Sequence, residues 1–272
     1  MIKSCVTIAL VSEIKTGPWI FWNDLEKSMS KASNLGFDAI ELFTSSGEAI
    51  DTKQLKFLLD KFNLELAAVG TGAGKVIHGL TLTDPDENVR KKAISFISKM
   101  IDFGSSFGAP TIIGSMQGNA SGDIVREQAL AWLAEGLQIL GKEAAEKNVI
   151  LIYEPLNRYE TNLINTLDAG VEFIESRKIN NVKLLADLFH MNIEEPVMTE
   201  SIRKHASHIG HVHFADSNRR PVGSGHTDMQ SIALTIKEIG YDGFISAEAF
   251  PWPNEDAAAT QTITSFNKFF RN

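Results

Sequence analysis

The sequence predicts an α/β protein built as a single (β/α)8 TIM barrel, and three observations carry that expectation. Short β-rich runs alternate with longer amphipathic stretches along the whole chain, the pattern of a parallel sheet covered by helices. The runs number eight, which closes a barrel filled by side chains, whereas an open doubly wound sheet usually has about five to seven strands. The segment after the first run, VSEIKTGPWIF, holds one glycine and so lacks a dinucleotide-binding fingerprint.

In order, the strand-like runs are SCVTIAL, FDAIELF, LELAAVG, PTIIGS, VILIYE, VKLLAD, HIGHVHF and GFISAE. Between them lie stretches of helical spacing. In residues 86–107, Val89, Ala93, Phe96, Ile97, Met100 and Ile101 recur at three and four residues; further helices are expected over 123–147 and 228–239. Gly36, Gly108 and Gly240 stand before strands two, four and eight, where a left-handed helix stop is wanted. The longest connections, 70–85, 155–164, 188–197 and 214–227, all follow strand C-termini, the end at which a barrel keeps its chemistry.

Size and composition agree with one domain over residues 1–272, close to the roughly 250 residues of a typical barrel. The chain is 43% hydrophobic and 22% charged, as in a globular protein with a large core. It shows neither a membrane-spanning run nor a cleavable leader, so a cytoplasmic location is expected. Cys5 is the only cysteine, which rules out an internal disulfide and fits a packed apolar position. A net charge of −8, with no basic block, argues against nucleic-acid partners.

The four C-terminal strands carry the chemistry. Each ends on a metal-binding type of residue: Glu154, Asp187, His213 and Glu248. Side by side in a parallel barrel, these ends converge on one mouth. Three carboxylates and one imidazole suit Mn²⁺, Co²⁺ or Mg²⁺ better than structural zinc. His211 shares a strand face with His213, so either could be the ligand; His213 lies nearer the mouth and is preferred, with His211 as a packed or supporting histidine. His205 and His208 are expected on the surface, while His78 and His226 lie in loops long enough to approach the mouth.

The loops around these strand ends are rich in polar groups: Asn157, Arg158 and Glu160 follow Glu154, His190 follows Asp187, and Asp216 and Arg219 follow His213. Trp19, Phe43, Phe189, Phe250 and Trp252 are candidates for apolar walls or ordinary core. Such a lining fits a polyhydroxylated substrate. A cation that polarises a carbonyl and its neighbouring hydroxyl eases removal of the adjacent C–H proton and stabilises an enediolate. Glu154 and Glu248, flanking the site, form the acid/base pair; reprotonation on the opposite face gives epimerisation, and on the neighbouring carbon aldose–ketose isomerisation.

At these residues the chain resembles the xylose-isomerase-like barrel superfamily of sugar and sugar-phosphate isomerases and epimerases. Within it, the chain is similar to the ketose 3-epimerases typified by D-tagatose 3-epimerase and D-psicose 3-epimerase. The matching stretches are LGFDAIEL at 35–42, LTLTDPDENVR at 80–90, EPLNRYE at 154–160, DLFHMNIEE at 187–195, HVHFADSNR at 211–219 and the Glu of SAEAF. The resemblance implies that Glu154, Asp187, His213 and Glu248 bind Mn²⁺ or Co²⁺ and that Glu154 and Glu248 exchange the C3 proton. It also implies that His190 and Arg219 hold the oxygens at C1 and C2, that Glu160 bonds the same end of the ketose, and that the chain forms a homodimer or tetramer.

Other readings differ in product. A hydroxypyruvate isomerase relative would give an aldose and an inosose-type dehydratase a diketone; a sugar-phosphate epimerase would use the pair Arg219 and Arg220 on a phosphate. A non-catalytic sugar-binding barrel would leave substrate C–H bonds untouched. An endonuclease of this fold would need more histidines at strand ends and a basic surface.

Overall fold

Strands with apolar residues on both faces must be covered on both, by helices outside and by one another's side chains inside. The structure, a computed structural model describing residues 1–271 of the chain, resolves that requirement as a closed barrel. Its strands are β1 (Lys3–Leu10), β2 (Phe21–Trp22), β3 (Ala39–Thr44), β4 (Glu65–Gly70), β5 (Thr111–Ile113), β6 (Leu151–Tyr153), β7 (Val182–Asp187), β8 (Ile209–His213) and β9 (Phe244–Ala247). All pairings are parallel; neighbours run from β1 and β3 through β9, and β9 pairs back to β1 to close eight strands.

The eight expected strands are present, with two differences. The short β2 pairs with β1 outside the closed ring and was not anticipated, because a two-residue strand has no periodicity to read. The fourth expected run stops at Ile113, and Ser115 already opens a 3-10 turn. The helices Glu87–Ser105, Arg126–Glu146 and Met229–Glu238 lie within their expected spans. Gly36, Gly108 and Gly240 take φ values of 84, 69 and 70°, the left-handed stops that the sequence signalled.

Register decides what faces inward. Side chains alternate across a strand, so pairing Glu41 with Ala68, Ile112 with Ile152, and Asp187 with His213 fixes the inner set. Ala68, Ile112, Ile152 and Leu185 form an apolar cluster separate from the main core, with Cys5, Ala39 and Ala67 as another small group. The inner polar residues Thr7, Glu41, His211, His213 and Ser246 are all buried. Glu154 and Glu248 each stand one residue beyond their strand, where the inward parity still holds.

Among the histidines expected at the surface, His205 is a correction. It is buried, with Nε2 3.1 Å from Asp168 Oδ1, because the helix Met198–Lys204 lays its C-terminal end against the helix Leu167–Ser176. His78 and His226 are exposed and do not line the mouth.

Thr7 ties the closing seam together. Its hydroxyl donates to the Ala247 carbonyl at 2.8 Å and accepts the Ile20 N–H at 3.1 Å, all buried. Replacing it by valine orphans that buried N–H, so Thr7→Val is expected to cost about 1–3 kcal/mol in urea unfolding at unchanged m-value.

Candidate active site at the barrel mouth

One ligand atom from each of Glu154, Asp187, His213 and Glu248 lies within 4.8 Å of the others. Each residue is fixed by local structure. Asp187 ends β7 and caps the next helix, its Oδ1 accepting the N–H groups of Phe189 at 2.7 Å and His190 at 3.1 Å. Its Oδ2 is thereby left for His213 Nδ1, at 3.2 Å. Glu154 extends the β6 ladder by donating its N–H to Ile113 at 3.0 Å, and its carbonyl accepts from Gln117 Nε2 at 3.0 Å. Gln117 is itself held by the Tyr153 hydroxyl at 2.7 Å.

Gly114 makes room for the Glu154 carboxylate. A Cβ there would sit 2.4 Å from Glu154 Oε2, closer than any packing allows.

The loops bring in the remaining groups. His190 Nδ1 accepts from the Asn157 backbone N–H at 3.3 Å and lies 2.7 Å from Asn157 Nδ2. The backbone group can only donate, so the neutral ring carries its proton on Nε2. That Nε2 is 3.7 Å from Glu154 Oε1 and 3.8 Å from Asp187 Oδ2. Glu160 accepts from Asn157 Nδ2 at 3.0 Å and from Arg219 Nη1 at 3.4 Å. Arg219 also donates to Glu248 and lies with its guanidinium 4.8 Å from the centre of the Phe189 ring.

These contacts leave three buried polar atoms without partners at one place: Glu154 Oε1, His190 Nε2 and Arg219 Nε. Unpaired buried groups are costly, and Glu154 and Arg219 line a cavity of about 230 Å³. Trp19, Phe43, Gly72, Val76 and Ser115 line its distal side, and Arg219 is the only lysine or arginine among its lining residues.

The carboxylates are electrically distinct. Burial, reinforced by Glu248 and Asp187, pushes the Glu154 carboxyl well above its ordinary value. Burial also opposes the charge on Glu248, but Arg219 and then His213 outweigh it and hold that carboxyl low. Asp187 is likewise held low against burial, by His190, His213 and Arg219. Glu41, Glu248 and Asp187 overcome burial to raise His213, whereas burial lowers His190. Burial works against the Arg219 charge too, and the surrounding carboxylates, Glu248 first, keep it firmly protonated.

The structure brings together the four strand-end residues Glu154, Asp187, His213 and Glu248 and, from the loops, Glu160, His190 and Arg219. It leaves out Arg158, which pairs with Glu194 at 2.9 Å, and Arg220, whose guanidinium lies 4.1 Å from the Trp252 ring centre. Trp19 and Phe43 do line the cavity, and Phe189 reaches it through Arg219; Phe250 and Trp252 are 40% and 50% exposed on the rim. Three contributors escaped the sequence reading. Gly114 and Gln117 act only through proximity, but Glu41 left a signal: an acid in the middle of the otherwise apolar run AIELF.

Comparison with known proteins places this geometry. The profile of the xylose isomerase-like TIM barrel family matches residues 29–268, and the chain belongs to that family. Among its relatives is the L-ribulose 3-epimerase of Methylomonas sp. (strain DH-1), 31% identical over 87% of this chain and 82% of the relative. The D-psicose 3-epimerase of Ruminiclostridium cellulolyticum is 31% identical over 84% of this chain and 78% of its own length. The crystal structure of a D-allulose 3-epimerase from Methylomonas sp. in complex with D-allulose superposes with a TM-score of 0.84 at 25% identity, over 99% of this chain and 97% of that one. These relatives and this structural neighbour are sugar epimerases, enzymes of the isomerase class.

Filling the space kept by Gly114 should displace a carboxylate without disturbing a strand. If Glu154 holds a divalent cation, Gly114→Ala is expected to weaken its binding at least about tenfold by calorimetry, with far-UV circular dichroism unchanged.

Proposed function

We propose that this protein is a divalent-cation-dependent ketose epimerase that inverts C3, with Glu154 and Glu248 as the acid/base pair. The observation that carries this reading is the convergence of four ligand atoms from Glu154, Asp187, His213 and Glu248, with Glu154 Oε1, His190 Nε2 and Arg219 Nε buried and unpartnered on residues of the same site. Glu154, Asp187, His213 and Glu248 fit a hard or borderline cation, with Mn²⁺ the first choice and Co²⁺ or Mg²⁺ the alternatives. When bound, that cation polarises the C2 carbonyl and the C3 hydroxyl of the ketose and lowers the cost of the charge released when C3 loses its proton.

The chain's own groups do the rest. His190 presents an N–H, and Arg219 its guanidinium, to the oxygens at C1 and C2, while Glu160 accepts from a hydroxyl at the same end. Glu154 and Glu248 follow the ends of β6 and β9, with Asp187 and His213 between them, so the two carboxyl groups flank the site as an acid and a base must. Glu248 takes the C3 proton from one face, and Glu154 returns one to the other. For the product the roles reverse, and exchange with solvent resets the pair.

The cavity favours a free ketose over its phosphate. Arg219 is its sole lysine or arginine and is already engaged by Glu248 and Glu160, so no cation is left to receive a phosphate at the distal wall. The reading extends to the whole chain, residues 1–272, acting as one barrel domain in a cytoplasmic homodimer or tetramer. Its partners are small ketoses and include neither nucleic acid nor membrane. The charge of −8 supports that choice, and no helix among the described residues is long and apolar enough to cross a bilayer.

The first test is NMR of the Mn²⁺-supplemented protein with free and phosphorylated ketoses in D₂O. Deuterium entering C3 together with a C3 epimer is expected for free ketoses, and Glu154→Gln and Glu248→Gln should each abolish it with the fold intact. Exchange at C1 instead would assign an aldose–ketose isomerase, and near-native activity in either variant would remove that carboxylate from the pair.

Cation binding should also release protons, because His213 is raised and Glu154 is held towards its protonated form. Below those raised values protons compete with the cation, so affinity should fall as pH is lowered. Calorimetry in buffers of different ionisation enthalpy measures the protons released.

A further inference from the structure

Under the four converging atoms lies a second layer of charge. His213 turns Nδ1 towards the mouth and Nε2 down to Glu41 Oε1, at 3.1 Å. The other oxygen of Glu41 is 2.7 Å from His211 Nε2. Glu41 is 5% exposed and the two histidines 1% each, so water does not compete for these contacts. They come from strands β3 and β8, separated by β1 and β9 around the ring, and are 170 and 172 residues apart in sequence.

An ionised carboxylate can only accept hydrogen bonds, and a neutral imidazole has one N–H and one lone pair. We infer that Glu41, steadied by His211, is a positioning residue for the cation site: it holds the His213 proton on Nε2 and so leaves the Nδ1 lone pair facing the mouth. The alternative tautomer would aim an N–H at the cation and a lone pair at a buried carboxylate, two repulsive contacts at once. His211 supplies what His213 alone cannot, a donor on the second oxygen that stops the carboxylate from rotating away. The spacing His211–Val212–His213 serves this arrangement, since residues two apart on a strand share a face and reach the two oxygens of one carboxylate. Glu41 acts through His213 rather than on substrate. Its effect belongs in cation affinity and in the state of one ring.

The inference rests on the divalent-cation reading of the mouth, and the test separates the two. Mn²⁺ binding to the full chain is followed by the electron paramagnetic resonance of the free ion for wild type, Glu41→Gln and His211→Phe. Glutamine keeps the volume of Glu41 but has one acceptor oxygen, so it cannot take protons from both rings. The expected result is a rise in the Mn²⁺ Kd of about 10–100-fold in Glu41→Gln and a smaller rise in His211→Phe.

The ring is read directly in the wild-type protein saturated with Mg²⁺, by ¹⁵N–¹H correlation of the histidine side chains. A proton on His213 Nε2, with Nδ1 unprotonated, supports the assignment even if a variant fails to fold. A proton on Nδ1, or a Glu41→Gln protein that folds and binds Mn²⁺ as tightly as wild type, overturns it while the cation reading stands. Wild type that binds no divalent cation would overturn both.

Discussion

Charge balance inside a nearly closed space is the constraint on which the rest of the structure depends. Glu41, Glu154 and Asp187 are almost wholly buried within the same barrel end, and Glu248 is little more exposed. Removing a carboxylate from water costs several kcal/mol unless a partner replaces the solvent. Asp187 is answered by two helix N–H groups and His213, Glu41 by two histidines, and Glu248 by Arg219. Among these carboxylates only Glu154 keeps a buried oxygen without a partner. That oxygen belongs to one of the four residues whose ligand atoms converge, and burial there raises the Glu154 carboxyl.

The same constraint explains the loops. Arg219 has to stand over the mouth, and the chain holds it by its backbone. Asp216 accepts the N–H groups of Ser217 at 2.8 Å, Gly223 at 2.8 Å and Thr227 at 3.1 Å, gathering the connection after β8 around one buried carboxylate. Arg219 takes a left-handed φ of 56°, and its carbonyl accepts the Phe250 N–H at 2.8 Å from the connection after β9. Two neighbouring strand ends thus set one guanidinium against Glu248 and Glu160. On the opposite side Asn157 does the corresponding work for His190 and Glu160. In the proposed reaction the acid/base pair sits on strand ends, and the loops orient the groups that would hold a substrate against it.

Much of this was legible in advance because a parallel barrel converts order along the chain into position around a ring. Once VILIYE, VKLLAD, HIGHVH and GFISAE are read as consecutive parallel strands, their last residues have to meet. Helix stops at Gly36, Gly108 and Gly240 were equally local and equally clear. His205 was misread because its burial comes from the packing of two helices, which no pattern within its own segment records. The pairing of β2 with β1 has the same character.

By itself, the sequence determined the barrel, the number of its strands and the residues at its C-terminal mouth, since periodicity and strand ends are short-range properties. Only the tertiary structure decided that Glu41 would meet His211 and His213 across the barrel, that Gly114 would leave room for Glu154, and that Arg219 rather than Arg220 would enter the mouth. Those contacts depend on register and on backbone angles in connections without periodicity. A shift of one residue along a strand would turn the inward set outward, and only closure of all eight strands fixes that register.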